Sequence, residues 1–319
     1  MSLPDTPSGP RLVAVTGASG LIGSRLSEAL RGRGDQVLHL VRRDPAPAAR
    51  LPDGVREARW SPGDRLDPGT LEGVDGVVHL AGAGIGDRRW TEERKAVLVS
   101  SRLDGTRTIA RTLAEVAAAD GHRPRLVSGS AVGFYGDRGD EVLTEDSPAG
   151  EGFLARLVQD WEATTGAAEE AGVPVAHART GIVLSPDGGA LGRLLPLVRL
   201  GLAGPLAGGD AWWPWITLHD EVRALVHLLD RADVTGPVNL SAPSPATQQQ
   251  VTRELAGELH RPAVLPAPGW ALRLVLGEMS QEILASTRAL PRVLERSGFE
   301  FTHPDRGRAT RWVVEELRA

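Results

Sequence analysis

The chain has 319 residues, 41% of them hydrophobic and 24% charged, a composition that supports a sizeable core in one large domain or two. Its formal net charge of -5 disfavours nucleic-acid binding, and the absence of cysteine excludes disulfides and thiol chemistry. The sequence contains neither a metal-ligand motif nor an uninterrupted apolar run of membrane-spanning length. We therefore expect a cytoplasmic protein that binds no metal and makes no membrane contact.

Short apolar runs alternate with helical segments along most of the chain. The run over residues 11–16 stops at a glycine and indicates a buried parallel strand, and a helix is predicted over 21–33. Further strands are predicted at 36–41, 76–80, 125–130, 173–178 and 237–240, and further helices at 91–119, 153–171 and 220–230. Strands that alternate with helices indicate right-handed βαβ units. We therefore predict an α/β fold with a Rossmann-type, doubly wound parallel sheet.

The pattern changes after about residue 180, where glycine, proline and leucine become frequent before helices dominate the remainder. This change predicts a smaller, partly interleaved substrate domain beside the nucleotide-binding domain. The predicted division is a flexible tail at 1–10, a nucleotide-binding domain at 11–180 and 216–243, and a substrate domain at 181–215 and 244–319.

A glycine-rich loop, G-A-S-G-L-I-G over Gly17–Gly23, connects the first predicted strand to the first predicted helix. Such a loop lets the backbone approach a pyrophosphate, and the helix N-terminus adds free N–H groups and a positive dipole end. Because a strand precedes the loop and a helix follows it, the motif predicts dinucleotide binding. The predicted contacts come from Gly17, Ser19, Gly20, Leu21, Ile22 and Gly23.

The end of the second strand distinguishes between the two nicotinamide dinucleotides. An acidic residue there binds the ribose hydroxyls of NAD, whereas an arginine accommodates the 2′-phosphate of NADP. The strand ends in Arg42 and Arg43, followed by Asp44. Guanidinium groups bind phosphate in a bidentate manner, so we predict NADP(H) as the cofactor. In the alternative, both arginines are solvated and Asp44 binds the ribose.

Three motifs together point to a known family: the glycine loop, His79-Leu80-Ala81-Gly82, and the run Ser130–Gly136. They resemble those of the extended short-chain dehydrogenase/reductases, the NAD(P)-dependent sugar-epimerase group. Trp161-Glu162 and Trp212–Ile216 make the chain similar to an atypical branch of epimerase family proteins, over about residues 11–315. The resemblance implies that Leu80, Ala81, Gly82 and Arg179 contact the cofactor, and that Ser130 and Tyr135 lie at the substrate.

The chain departs from this family in its catalytic motif, Tyr-x-x-x-Lys, in which the tyrosine is the general acid/base. Tyr135 is the only tyrosine and Lys95 the only lysine, and their spacing cannot form the motif. Phe153 and Leu157 stand where the family places the pair. The predicted catalytic residues are therefore Ser130 and Tyr135 alone.

These observations predict an NADP(H)-binding oxidoreductase or epimerase whose substrate is a nucleotide-sugar or another small carbonyl or hydroxyl compound. The alternative is a non-catalytic NADP(H)-binding sensor or scaffold protein, which the missing Tyr and Lys favour. A homodimer is a further expectation. Trp212, Trp213 and Trp215 either line a substrate pocket or belong to the core.

Overall fold

The computed structural model describes residues 9–318 of the chain. Its strands are, in chain order, β1 (Leu12–Thr16), β2 (Gln36–Val41), β3 (Val55–Arg59), β4 (Gly76–His79), β5 (Arg125–Ala131), β6 (Val142–Leu143), β7 (Val175–Thr180), β8 (Ile182–Ser185), β9 (Trp212–Trp213), β10 (Trp215–Thr217), β11 (Gly236–Leu240), β12 (Ala246–Thr247) and β13 (Arg288–Ala289). Its helices are, in chain order, α1 (Leu21–Gly32), α2 (Glu92–Asp120), α3 (Phe153–Ala163), α4 (Gly166–Glu170), α5 (Gly189–Arg199), α6 (Leu218–Asp230), α7 (Gln248–Glu258), α8 (Gly269–Leu276), α9 (Met279–Leu284), α10 (Arg292–Arg296) and α11 (Arg306–Glu316).

Seven of these strands form one sheet in the order β11-β7-β5-β4-β1-β2-β3, and every pairing in it is parallel. The chain starts in the middle at β1, moves outward to β3, and then returns through β4 to the opposite edge. This arrangement confirms the predicted Rossmann-type, doubly wound sheet. The direction reverses between β1 and β4, and open α/β sheets bind ligands at the carboxyl ends of the strands beside such a point.

Helices cover both faces of the sheet. On one face α1 and α6 bury Leu26 and Leu225 against β1 and its neighbours. On the other face α2 and α4 bury Leu113 and Ala168. Because helices bury both faces of the sheet, the central strands are continuous apolar runs in the sequence. These runs are the reason that the sequence pattern predicted them.

A further core lies beyond the sheet, in the segments predicted to form the substrate domain. In this smaller unit β8 pairs with β10, β9 pairs with β12, and α5, α7 and α11 pack around them. Trp213 and Trp215 belong to this core and are 6% and 1% exposed. They therefore pack as core residues and do not line an open pocket. Leu294 of α10 and the nearby Phe299 pack instead against the main sheet.

In the main sheet and the helices that follow its strands, two elements differ from the prediction. The edge strand β3 is absent from the predicted set, because its sequence is mostly polar and it pairs only with β2. The helix predicted over 153–171 is divided into α3 and α4. The hydroxyls of Thr164 and Thr165 donate to the carbonyls of Trp161 and Glu162, and this local bonding competes with a continuous helix. The short strands outside that sheet, β6, β8, β9, β10, β12 and β13, were not predicted either. The predicted tail at 1–10 lies almost entirely outside the described residues.

Candidate functional site

The glycine loop lies at the carboxyl edge of the sheet, between β1 and α1. Gly17 has a φ of 68°, and a Cβ atom there would lie 2.9 Å from the backbone of Leu80. A Cβ atom on Gly23 would overlap the carbonyl oxygen of Gly17. Both glycines are therefore required by the fold itself, because the loop turns tightly against the segment after β4.

Gly20 differs from the other two glycines of the loop. It is the N-cap of α1, in an extended conformation that any residue adopts, and a Cβ atom there would meet only the Gly17 carbonyl oxygen, at 3.2 Å. No side chain caps the helix, and its first turn contains no acidic residue. The first-turn N–H groups are thus available to an anion, and the bare Gly20 leaves room for one. This cradle fits a pyrophosphate.

The residues predicted to contact the pyrophosphate differ in their exposure to solvent. Ser19 is exposed at the loop surface, whereas Leu21 and Ile22 are half-buried and pack on the core beneath the sheet. Their side chains therefore anchor the start of α1, and any contact to a phosphate comes from their backbone N–H groups. Gly188 of the smaller unit lies near the Leu21 side chain: a Cβ atom on Gly188 would be 3.9 Å from it.

Thr16 connects the glycine loop to the segment that follows β4, which also contains Gly82. Its hydroxyl accepts hydrogen bonds from the N–H groups of Leu80 at 3.0 Å and Ala81 at 3.1 Å, and lies 2.8 Å from Nδ1 of His79. Because the hydroxyl accepts twice, its proton is donated to His79. Burial lowers the pKa of His79 to about 4, so the ring is neutral and can accept. Sequence reasoning missed Thr16, although a polar residue ending an apolar strand was the available signal.

Arg42 and Arg43 follow β2, where the 2′-substituent of the adenosine ribose is expected. Arg43 donates to both carboxylate oxygens of Glu57, at 2.8 and 2.6 Å. Arg42 is exposed, and none of the carboxylates that the structure describes pairs with it. Asp44, the alternative ribose ligand, pairs with Arg59 at 2.7 Å. Arg42 is therefore the unpaired cation at this position, whereas the charge of Arg43 is already balanced by Glu57.

Ser130 and Arg179 are neighbours at the carboxyl ends of β5 and β7. The Ser130 hydroxyl donates to Oε1 of Glu162 at 2.6 Å, and Arg179 donates to both oxygens of the same carboxylate at 2.8 Å. The carboxylate is thus fixed from two sides. The oxygen of Ser130 keeps its lone pairs available for another polar group. Glu162 comes from α3, and no sequence spacing linked it to Ser130.

Tyr135 completes this network from inside the protein. The side chain is fully buried, and its hydroxyl donates to Oδ1 of Asn239 at 2.8 Å and accepts from Nη1 of Arg179 at 3.0 Å. Burial raises the pKa of the phenol. The Arg179 guanidinium also stacks 3.5 Å from the ring centroid of Phe134. The Arg179 side chain is therefore fully engaged by Glu162, Tyr135 and Phe134, and its backbone lies in β7 between β5 and β11.

The positions of the missing Tyr and Lys are occupied by an apolar cluster. Phe153 stacks edge-to-face on Trp90 with ring centroids 5.1 Å apart, and Leu157 is buried in the same cluster. The only lysine, Lys95, is bonded to Glu278 at 2.6 Å, and this bond raises the pKa of its ammonium group. No described residue therefore reproduces the tuned phenol of the superfamily.

The smaller unit reaches across the carboxyl edge of the sheet. Arg193 of α5 donates to the carbonyl oxygen of Gly86, in the loop between β4 and α2. Asp187, just before α5, pairs with Arg25 of α1 at 3.1 Å. α5 is thereby tied to the helix of the glycine loop on one side and to the loop after β4 on the other.

Comparison with known proteins identifies relatives of the whole chain. Residues 13–241 match the model of the NAD dependent epimerase/dehydratase family, and residues 267–313 match a domain of unknown function, DUF1731. An epimerase family protein of Mycobacterium tuberculosis is 42% identical over 300 residues, which cover 93% of this chain and 96% of that protein.

Two solved structures resemble the chain at 30% identity or more. The crystal structure of the human epimerase family protein SDR39U1 (isoform 2) with NADPH has a TM-score of 0.81 and 30% identity, covering 96% of this chain and 100% of that one. A nucleoside-diphosphate sugar epimerase from Corynebacterium glutamicum has a TM-score of 0.76 and 32% identity, covering 97% of this chain and 60% of that one.

Proposed function

Since the chain belongs to the NAD-dependent epimerase/dehydratase family, we propose that it binds NADP(H) and acts on a small hydroxyl or carbonyl compound beside Ser130. The observation that carries the proposal is the cradle at Gly20, an uncapped helix start with room for a pyrophosphate. Two further observations support NADP(H) as the cofactor. Arg42 is an unpaired cation after β2, and the structure of the human relative is described with NADPH.

The chemistry assigned to the bound cofactor is hydride transfer at the nicotinamide. The contribution of this chain is to hold the reacting oxygen of the substrate. Ser130 donates its own proton to Glu162, so its oxygen accepts a hydrogen bond from a substrate hydroxyl. Arg179 keeps Glu162 in place through two hydrogen bonds. Glu162 and Arg179 are positioning residues, and Ser130 is the proposed catalytic residue.

A second function, a non-catalytic NADP(H) sensor, is favoured by one specific observation. Phe153 and Leu157 form part of an apolar cluster where the superfamily has its acid/base pair. A phenylalanine has no proton to transfer, and general acid–base catalysis contributes roughly 10²–10⁴-fold to rate. The two functions share the cofactor site and differ in turnover. NADPH consumption against a panel of carbonyl compounds distinguishes them: measurable turnover supports the enzyme, and tight binding without turnover supports the sensor.

The cofactor assignment is tested with a single charge removal. Arg42→Ala should weaken NADPH binding by about tenfold or more and leave NADH binding nearly unchanged, because a charge-assisted hydrogen bond contributes roughly 1.5–3 kcal/mol. Calorimetric titration with both cofactors measures this. Arg308→Ala, which removes an exposed arginine from α11, is the control and should change neither affinity. Equal binding of NADPH and NADH by the unmodified protein would contradict the assignment.

A further inference from the structure

The exposed large hydrophobic side chains of the described residues are concentrated on one surface. Ten such side chains are exposed, and eight of them fall in two segments, residues 197–202 and 264–275. The eight, which we call the apolar patch, are Leu197, Leu200, Leu202, Val264, Leu265, Trp270, Leu274 and Val275. The remaining two, Val97 and Val142, lie on α2 and β6. Scattered apolar residues are normal on protein surfaces, whereas a concentration of this kind marks an interaction site.

Backbone hydrogen bonds hold the ends of the two segments side by side. The N–H of Leu265 donates to the carbonyl of Ala203 at 3.2 Å, and the N–H of Ala207 donates to the carbonyl of Ala267 at 2.9 Å. Helix α8 begins directly after Ala267 and Pro268. The end of α5 and the whole of α8 therefore belong to the same side of the smaller unit.

Helix α8 has no buried residue, although its sequence G-W-A-L-R-L-V-L contains a single charge. Trp270, Leu274 and Val275 are 69%, 72% and 71% exposed. The helix is nevertheless held at its end, because Leu276 and Met279 pack against Trp90. Helix α8 is therefore anchored at its end, while Trp270, Leu274 and Val275 are left uncovered by the described part of the chain, a face that suits a partner.

The charges within the two stretches that carry the patch are all of one sign. Residues 188–209 and 259–277 contain no aspartate or glutamate, although the chain as a whole carries a net charge of -5. The basic residues of these two stretches are exposed: Arg193, Arg199, His260, Arg261 and Arg273. Among the described side chains, no carboxylate pairs with any of these arginines. The patch thus combines apolar and cationic side chains, and its partner must be apolar and anionic.

We propose that the apolar patch docks on the surface of an anionic lipid bilayer. Exposed tryptophan and leucine among arginines are typical of helices that lie in the membrane interface. Anionic headgroups attract the arginines, and the acyl boundary accepts Trp270 and Leu274. A second copy of the chain fits less well, because a two-fold contact brings the same arginines against each other without a carboxylate between them. No helix of residues 9–318 is long and apolar enough to span a bilayer, so the contact is peripheral.

The test is co-sedimentation of the full chain with vesicles of phosphatidylglycerol in phosphatidylcholine, compared with vesicles of phosphatidylcholine alone. The chain should bind the anionic vesicles, and the binding should weaken as salt is raised. The double variant Trp270→Ser/Leu274→Ser should bind them roughly tenfold or more weakly, since each side chain loses its burial in the acyl boundary. Arg199→Gln/Arg273→Gln should lose the preference for anionic lipid.

Matched controls keep the test specific to the patch. Val97→Ser and Val142→Ser replace the two exposed large hydrophobic residues outside it and should bind vesicles like the parent chain. Thermal unfolding and NADPH titration of each variant report folding and the cofactor site separately. Three outcomes would overturn the proposal: no binding to anionic vesicles, equal loss in the control variants, or a dimer that Trp270→Ser/Leu274→Ser dissociates in the absence of any vesicle binding.

Discussion

At the level of single residues, the three glycines of the loop have different physical roles. Gly17 has a positive φ and lies against the backbone of Leu80, and Gly23 packs on the carbonyl of Gly17. The fold therefore requires glycine at both positions. Gly20 has no positive φ, its φ being -79°, and a Cβ atom there would make one tight contact, at 3.2 Å from the Gly17 carbonyl oxygen, without overlapping the backbone. The space beside Gly20 is therefore kept for a ligand.

Gly20→Val should abolish NADPH binding in calorimetry, because its branched side chain fills that space. Its free energy of unfolding should fall by only about 1 kcal/mol, because the Cβ atom makes a single tight contact, with the Gly17 carbonyl oxygen. Gly17→Ala should destabilise the protein by at least roughly 1–3 kcal/mol, through its positive φ and through the contact of the new Cβ atom with the Leu80 backbone. Denaturant unfolding of both variants provides the comparison. Normal NADPH binding by a folded Gly20→Val protein would show that the loop is not the cofactor cradle.

The two predicted catalytic residues should respond differently to removal of their hydroxyls. Tyr135→Phe leaves Oδ1 of Asn239 and one N–H of Arg179 without their buried partner, a loss of roughly 1–3 kcal/mol in the free energy of unfolding. Ser130→Ala should cost less than about 1 kcal/mol, because Glu162 keeps both bonds from Arg179. Neither variant should change NADPH affinity appreciably. Unchanged stability of Tyr135→Phe would show that the phenol is not held by this network.

At the level of elements, the contact between α6 and β7 contains a buried acid. Glu221 lies in the first turn of α6 and is fully buried, and burial raises the pKa of its carboxyl to about 8. One oxygen accepts a hydrogen bond from Thr180 at 2.8 Å, and the other has no partner. In the folded chain the Glu221 carboxyl group is therefore protonated at neutral pH.

This acid makes stability depend on pH in a defined direction. The folded state binds the Glu221 proton up to about pH 8, whereas an unfolded glutamate releases it near its ordinary pKa of 4.5. Folding thus takes up a proton in this window, and the contribution of Glu221 to stability falls as pH rises, by about 1.4 kcal/mol per pH unit.

Glu221→Gln should be about as stable as the parent chain near pH 5 and clearly more stable at pH 8. Denaturant unfolding at the two pH values measures the difference between the proteins, in which the titration of the histidines cancels. Glu28→Gln, an exposed change on α1, should show no such difference. A parent chain and a Glu221→Gln variant with parallel pH profiles would contradict the protonated state.

On the scale of the whole molecule, the candidate site is assembled from distant parts of the chain. The Ser130–Glu162 bond joins residues 32 positions apart, and the Tyr135–Asn239 bond joins residues 104 apart. Patterns of neighbouring residues in the sequence do not reveal hydrogen bonds between residues so far apart. The glycine loop and the strand ends were predictable because each is a short stretch with its own spacing. The hydrogen-bond network of the predicted catalytic residues was not, because it depends on which strands become neighbours.

The amino-acid sequence by itself determined six of the seven strands of the main sheet, the doubly wound arrangement and the glycine loop, since apolar runs and glycine spacing are properties of consecutive residues. Only the tertiary structure decided that Arg42 is free while Arg43 is paired, that Tyr135 is enclosed, and that Glu162 binds Ser130. It also decided that the apolar residues of α8 face outward. Packing and ion pairing between remote segments set each of these, and such contacts exist only once the chain has folded.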